Sequence, residues 1–583
     1  MDPEKSTDPA SSKWKPLRIW PALVLLGLMV LFRNLASVTS EQSMGVMMTT
    51  IMGPALCGIL ILFWWLTASR ATWKERLVGF FGAIVGFLVF AALLHPTMIG
   101  SSFLYPMIPL GTAAFAIIAI FLRRNPSFLR TWLPLLAALL VFGSMTLLRN
   151  KGMSGDYQLD LHPRWEASAE EQLMAGEPRG NQEPETQAKN LQEALQNSEW
   201  SGFRGPERNS VSDAPQIGSD WEKNPPEPVW KKAVGPGWSS FAVAGNFLIT
   251  QEQRGPMDAV VCYDAGTGEQ IWSSKIESRF EEPLGGPGPR GTPTIAAGKI
   301  FAMTAEKWLL CVSPTGKEIW KQDIEKVAGR KAPQWGFSSS PLVVGSKVII
   351  HAGGKSDKGT LAFDIDTGEL QWSAASGDHS YSSPQLATVA GKECVLMASN
   401  RGVELLDPES GESLLDYSWK ENTYRALQPQ VIDGSDILLP TGMNFGTRRI
   451  HVSEENGKFS SEDVWISKRL KPDFNDFVIF EGHAYGYDAS IFTSIDLKTG
   501  ERNWKGGRYG KGQVLLLEKS GMLLVAGEQG EVVLLKATPE AHTELTKFQA
   551  LEGKTWNHPV VVGDKLYIRN DREAACYKLP LAE

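Results

Sequence analysis

The sequence predicts an all-β eight-bladed β-propeller preceded by an α-helical transmembrane region. Three observations carry this reading. Long apolar runs are confined to the first 150 of 583 residues, a turn phrase recurs at intervals of 39 to 52 residues after residue 260, and the last repeat lacks a strand. A chain with 43% hydrophobic residues, 56 Gly and 20 Trp suits short strands, tight turns and aromatic packing. Its net charge of −7 argues against a nucleic-acid partner, which calls for a basic face. Five Cys without a C-x-x-C pair make neither a disulfide framework nor a zinc site.

The apolar runs are Leu17–Phe32, Met44–Leu66, Leu77–Leu94, Phe103–Leu122 and Leu129–Leu148. All but the first reach or approach the roughly 20 residues that span a bilayer. They predict five helices in a transmembrane region over 1–150. The first run also has the form of a cleaved signal peptide, with Lys13, Lys15 and Arg18 in front and an Ala-x-Ser-like stretch near Ala36. Four further runs follow at once, which favours a retained anchor. Lys and Arg collect in the N-terminal tail (Lys5, Lys13), the 67–76 loop and the 123–130 loop, and are sparse in the alternate loops. The positive-inside rule then predicts a multi-pass protein of the cytoplasmic (inner) membrane, N-terminus in the cytoplasm and propeller on the periplasmic side. No acidic or basic residue falls inside Met44–Leu66, Leu77–Leu94 or Leu135–Leu148, so an anchor is expected rather than a pump, with membrane lipid as partner.

Residues 151–199 form an acidic linker, partly helical, with a Pro/Gly break at Gly176–Gly180. Leu191 and Leu195, four apart, suit a short helix lying on another surface; a solvated spacer is the favoured alternative.

The phrase is CYDAGTGEQIW at 262–272. It returns as CVSPTGKEIW (311–320), AFDIDTGELQW (362–372), LLDPESG (405–411) before Trp419, and IDLKTGERNW (495–504), with weakened copies ending at Trp465 and Phe548. Repeats of this period mean propeller blades or solenoid units. Before each phrase stands an apolar strand pair broken at Gly, as in PLVVGSKVII (341–350), so each unit holds four antiparallel strands, one blade. The Asp bonds back to the turn, the Gly takes the left-handed position, and the terminal aromatic wedges between blades. Trp230, Trp272, Trp320, Trp372, Trp419, Trp465, Trp504 and Phe548 are the expected wedges. The last segment, 558–580, supplies three strands, and EPVWKK at 227–232 is a fourth strand without a blade. Closure of the ring by that strand predicts eight blades over 200–583 and no free edge. Aligned on Thr-Gly, Cys262 and Cys311 are one residue out of register and are expected on opposite sheet faces, as ordinary buried thiols.

The A-x-D-x-x-T-G-x-x-x-W form resembles the repeat propellers named for pyrroloquinoline quinone (PQQ), over about two thirds of the chain. WSGFRGP at 200–206 is similar to the segment that opens many bacterial members. One branch is non-catalytic, like the lipoprotein of the outer-membrane β-barrel assembly machinery. The other holds quinoprotein dehydrogenases, among them a membrane-bound glucose dehydrogenase with five N-terminal spans. The resemblance therefore implies either a membrane-anchored scaffold of the cell envelope that binds protein or ligand without turnover, or a PQQ- and calcium-dependent dehydrogenase of sugars or alcohols passing electrons to membrane quinone. A sensor of a small anionic ligand is a third reading. The scaffold is favoured: the compact blades leave little room for the insertions that roof the enzymes' sites, no carboxylate or metal-ligand spacing forces a catalytic assignment, and an acidic spacer holds the disc off the bilayer. The adjacent Cys pair of alcohol dehydrogenases is absent, but glucose dehydrogenases lack it too.

The segments before the innermost strands converge on one end of a propeller's channel. There Trp238, Trp335, Tyr381, Trp556 and His558 are expected to form walls. Arg254, Arg290, Arg425, Arg448 and Arg508 are placed near the same side by repeat position, and arginine forks suit the three carboxylates of PQQ. An enzyme also needs a carboxylate base and calcium ligands. Asp473, Asp476, Asp378 and His379 are the catalytic candidates, and Glu252, Asn475 and Asp476 the metal candidates. The competing reading is structural: the Ser-Ser-Pro segments satisfy backbone groups where eight strands crowd an axis, and the arginines pair with Asp364, Asp407 or Asp496.

Overall fold

A computed structural model describes residues 15–35, 44–100, 103–154, 159–176, 185–419, 425–442 and 445–582. Lys5, Lys13, the stretch near Ala36 and most of the Gly176–Gly180 break lie outside them. The chain divides into two compact units: Met1–Met153 with Leu159–Glu166, and Ser154–Gln158 with Ala167–Glu583.

In the first unit the apolar runs become the helices Trp20–Arg33, Met44–Thr67, Trp73–Ala92, Ile108–Phe121 and Ser127–Met145. They pack around Trp65, Phe115 and Phe142. Thr72 and Glu75 close a capping box that starts Trp73–Ala92. Glu75 is also gripped by both arms of the buried Arg130 fork, at 2.6 and 2.9 Å. Among the described residues three helices, Met48–Thr67, Trp73–Ala92 and Ser127–Met145, are long and apolar enough to cross a membrane. The other two apolar helices are shorter. The 14 residues of Trp20–Arg33 rise about 21 Å, short of a hydrocarbon core of about 30 Å.

In the second unit the described residues form eight blades of four antiparallel strands around one axis, one of them with a fifth strand added. Blade 1 holds Ala242–Ala244, Phe247–Arg254, Met257–Asp264 and Gln270–Glu277. Blades 2 to 7 repeat that order, with inner strands at Thr294–Ala296, Leu342–Val344, Gln385–Val389, Gln430–Ile432, Val478–Phe480 and Gln513–Leu517. Blade 8 takes three strands from the C-terminal end and its outer strand from Glu227–Ala233, which pairs with Glu573–Lys578. The ring closes as the missing strand requires. Linker helix Glu185–Ala194 lies on blades 1 and 2, where Leu191 and Leu195, 1% and 2% exposed, pack against Ala242, Ala244 and Ile295.

The repeated phrase is an inter-blade joint. Asp264 Oδ1 accepts from the backbone N–H groups of Gly266 and Thr267 and from the Thr267 hydroxyl, and Asp364 and Asp407 hold their turns the same way. The Gly that follows has φ near +70° (Gly268 +70°, Gly368 +72°), which a side chain resists. A Cβ there would also strike the preceding blade's Trp: 2.7 Å from Trp230 at Gly268, 2.7 Å from Trp320 at Gly368. The same indoles donate across the joint, Trp230 Nε1 to Ala265 O and Trp320 Nε1 to Ile365 O.

Strand register corrects three expectations. In every blade a bulge follows the residue pair that carries the wedge, as at Cys262↔Trp272 and Cys576↔Trp230. In blades 4 and 7 that slot holds Leu415 and Thr546, not Trp419 and Phe548. Blade 5 offers blade 4 no Asp-x-x-Thr-Gly turn and blade 8 is closed by a strand from elsewhere, although the glycine is not indispensable: Trp504 keeps its slot against blade 7, whose turn also lacks one, by donating to Thr538 O. Trp419 instead lies beneath Arg425 and Arg448, and Phe548 packs on Trp221 and Tyr577. Cys311 pairs with Trp320 as Cys262 pairs with Trp272, so both thiols face the following blade and not opposite faces. The blade 2 turn is one residue shorter, which misaligned them. All five thiols are buried.

Candidate functional site

One residue of each blade, just before its inner strand, stands at the axis. Ser240 N–H donates to Thr292 Oγ1, Thr292 N–H to Ser340 Oγ, and Ser340 N–H to Ser383 Oγ. Ser383 N–H continues to Gln428 Oε1, Gln428 N–H to Asp476 Oδ1, and Asp476 N–H to Gln513 Oε1, all six bonds within 2.8–3.1 Å. Gln513 Nε2 then donates to Trp556 O, and Asn557 Nδ2 to Gly237 O and Ser239 O, closing the belt. A buried N–H left unmet costs about 1–3 kcal/mol. The short polar residues before each inner strand answer that cost, as the structural reading of Ser-Ser-Pro holds.

The WSGFRGP segment packs against the belt from the side of the inner strands. Arg204, 0% exposed, donates to Phe477 O at 2.6 Å and lies 3.3 Å from Asp476. Arg208 donates to the carbonyls of Ser340, Pro341 and Pro384. With only carbonyls as partners, its guanidinium is pushed down to about 9 by burial. Val211–Ser212 then adds a parallel strand to the inner edge of blade 7. Arg204, Arg208 and Ser210 take left-handed backbone conformations rare for such residues, the local signature of a segment threaded to fit.

The opposite side of the belt is the mouth. Trp238 and Trp556 lie 4.8 Å apart with the Lys554 ammonium over both rings, at 4.9 and 4.5 Å. Phe474 meets Trp556 edge-on at 4.9 Å, and Glu528 accepts from Trp556 Nε1 at 2.9 Å. Lys511 pairs with Asp473 beside them. Across the mouth Trp335 lies tilted against Tyr381 at 5.1 Å, and His379 meets Tyr381 edge-on at 5.0 Å. His379 is shifted down by burial and then by Arg330. Trp238, Trp556, Phe474, Trp335 and Tyr381 are all half-buried. Phe474, Lys554, Lys511 and Glu528 escape sequence reasoning because they stand one to three places off the repeat positions, or in another blade's loop.

The five arginines do not converge here. Arg254 is buried in blade 1, where Glu252 accepts from Arg254, Gly235 N–H and the Tyr263 hydroxyl. Arg290 donates to Glu282, Gly286 O and Gly288 O at the rim, and burial pushes it down to about 10. Arg425 and Arg448 share Trp419, Arg425 donating to Trp419 O and Arg448 to the Tyr417 hydroxyl. Arg508 is exposed at the end of an outer strand. None of the five pairs with Asp364, Asp407 or Asp496 among the described residues, since those carboxylates hold their own turns.

The carboxylates are likewise committed. Asp476 serves the belt and Arg204, with His558 Nε2 at 3.4 Å from its other oxygen. Burial holds His558 down against the pull of that carboxylate. Asp473 takes Lys511, Asn475 Oδ1 accepts from Asp473 N–H, and Asp378 accepts from Asn400. No three acidic, His or Cys groups cluster among the described residues. These residues do not fit PQQ or calcium: the forks that would grip the quinone's carboxylates point at separate partners, and every candidate metal carboxylate already holds a cation or a turn.

A family profile described as outer membrane protein assembly factor BamB matches residues 226–323 and 256–506. The assembly factor BamB of Burkholderia pseudomallei is 25% identical over 292 residues, covering 48% of this chain and 68% of that protein. Among solved structures, BamB from Moraxella catarrhalis aligns at a TM-score of 0.45 with 13% identity, covering 61% of this chain and all of that one. A europium-containing methanol dehydrogenase aligns at 0.39 with 14% identity, covering 68% and 100%. Relatives named for the outer membrane overturn the inner-membrane, multi-pass address that the loop charges predict. The charge rule assigns sides only if every apolar run crosses, and two of the five helices, Trp20–Arg33 and Tyr105–Phe121, fall short. The chain is an eight-bladed β-propeller related to the family of the outer membrane protein assembly factor BamB, with apolar helices at its N-terminus.

Proposed function

We propose that the chain is a scaffold of the cell envelope that binds a protein segment at the propeller mouth without turnover, in the assembly of outer-membrane proteins. The observation that carries it is the contrast between the two sides of the belt. Inside, the ionisable groups are spent on backbone, turns and one another. At the mouth, half-buried Trp238, Trp556 and Phe474 stand open beside Lys554. Aromatic and cationic side chains over a rigid ring are what protein-binding hot spots use. Kinship with assembly factors supports the same reading.

The test replaces Phe474 with a photo-crosslinking residue in cells and identifies the adducts, with Trp556→Ala and Lys554→Glu as companions. Adducts with subunits of the barrel-assembly machinery or its clients, lost in the companions, are expected. In parallel the purified chain is titrated with PQQ and Ca²⁺ over a panel of sugars and alcohols. PQQ binding with dye reduction would refute the proposal.

A further inference from the structure

One loop of the propeller joins the mouth to a group of cations. Residues 468–477 run from the outer strand of blade 5, Lys458–Ser467, to the inner strand of blade 6, and they carry Phe474, which meets Trp556. Three residues earlier on the loop, the Lys471 ammonium lies 3.2 Å from Asp488 Oδ1. Arg502 and Lys505, from the outer strand of blade 6, hold the other oxygen at 2.5 and 2.7 Å. Asp488 is buried, while the three cations keep between 20% and 27% of their surface. Arg502 Nε–H meets no acceptor among the described residues.

One carboxylate does not balance this group. Three cations share a single anion, so two positive charges are left over, close together and partly out of water, where like charges repel more strongly than in bulk solvent. The excess extends to the surroundings. Segments 468–473 and 501–511 with Asp488 hold seven Lys and Arg against three carboxylates, in a chain whose net charge is −7. Of those carboxylates Asp473 is taken by Lys511, and Glu501 lies 3.7 Å from Arg469. A second anion at the group relieves the repulsion, and the side chains around it form charge-assisted hydrogen bonds to carboxylates.

We infer that Lys471, Arg502 and Lys505 receive a carboxylate side chain from the protein segment bound at the mouth, so that the partner segment is acidic as well as apolar. The inference rests on the scaffold reading and names the partner's chemistry. Lys471 and Phe474 share one loop, and three residues of chain reach at most about 11 Å. An extended partner covers the same span in about three residues. Its Asp or Glu is therefore expected two to four residues from the apolar side chain that lies on Trp556 and Phe474.

Binding to the purified full chain is read by fluorescence anisotropy with labelled peptides in a Gly-Ser background. One carries Glu and Phe three residues apart, one Gln and Phe, and one Glu and Ala. The Glu–Phe peptide is expected to bind about tenfold more tightly than the Gln–Phe peptide, as a charge-assisted contact provides. Lys505→Gln should remove that difference. Trp556→Ala should weaken both Phe peptides and bring Glu–Phe down to the level of Glu–Ala. Lys468→Gln, an exposed charge on the same loop, should change binding by less than about twofold. Equal binding of the Glu–Phe and Gln–Phe peptides, or equal losses from Lys505→Gln and Lys468→Gln, would overturn the carboxylate pocket and leave the aromatic mouth standing. Binding of no peptide by a chain that melts cooperatively would overturn the mouth as a peptide site, and this inference with it.

Discussion

Two indoles in equivalent slots, Trp272 and Trp320, differ in one bond, and that difference is measurable. Trp272 is 1% exposed and its Nε1–H has no acceptor among the described residues. Trp320 is 8% exposed and its Nε1–H donates to Ile365 O at 3.0 Å. Truncation to Ala removes a buried aromatic from either joint and should cost about 3–5 kcal/mol. Truncation to Phe separates them. At position 320 the change loses ring area and leaves the Ile365 carbonyl with only the weak Cys311 thiol donor, about 2–3 kcal/mol together. At position 272 the same lost area is offset by removal of a buried, unmet donor, and the net change should stay within about 1 kcal/mol. Urea titration followed by tryptophan fluorescence, with equal slopes required before midpoints are compared, gives both values. If Trp272→Phe destabilises as much as Trp320→Phe, the cross-joint hydrogen bond contributes nothing and the wedges act by volume alone.

Three further outcomes are expected. Gly368→Ala puts a Cβ at φ +72° and 2.7 Å from the Trp320 ring, so it should cost at least the ~1–2 kcal/mol of a left-handed side chain and lower the thermal midpoint, while Gly391→Ala, with nothing within 4 Å, should cost only the backbone part. Removal of residues 200–232 takes away the strand that closes blade 8 together with Arg204 and Arg208, and a soluble, equally stable 233–583 fragment would contradict the closure. Glu404, 2% exposed, is raised to about 8 by burial, which outweighs Arg401 at 3.3 Å. Against about 4.3 in the unfolded chain, the fold holds this proton more tightly, so its stabilisation is complete below about pH 4 and is lost as pH rises to about 8. Glu404→Gln should flatten that slope in melts recorded from pH 4 to 9; an unchanged slope assigns it elsewhere.

The sequence by itself determined the architecture because a propeller is written locally. Each blade repeats an Asp-held turn, a left-handed Gly and an aromatic at fixed offsets, and those offsets report the bulge and the joint without any long-range contact. The orphan strand around Trp230 was legible for the same reason: a blade with three strands must find a fourth. Tertiary structure decided what depends on neighbouring blades. Whether a terminal aromatic is a wedge depends on whether strand pairing brings it to the bulge, and there Leu415 and Thr546 hold slots that Trp419 and Phe548 were expected to fill. Whether an arginine faces a ligand depends on which carbonyl or carboxylate lies within its reach: Arg254 and Arg448 are spent inside blades, while Arg204 and Arg208, inconspicuous in WSGFRGPER, are buried beneath the belt. Repeat position sets the blade and the level of a side chain, but a charge is directed by the partners that desolvation forces on it, and those come from segments distant in sequence.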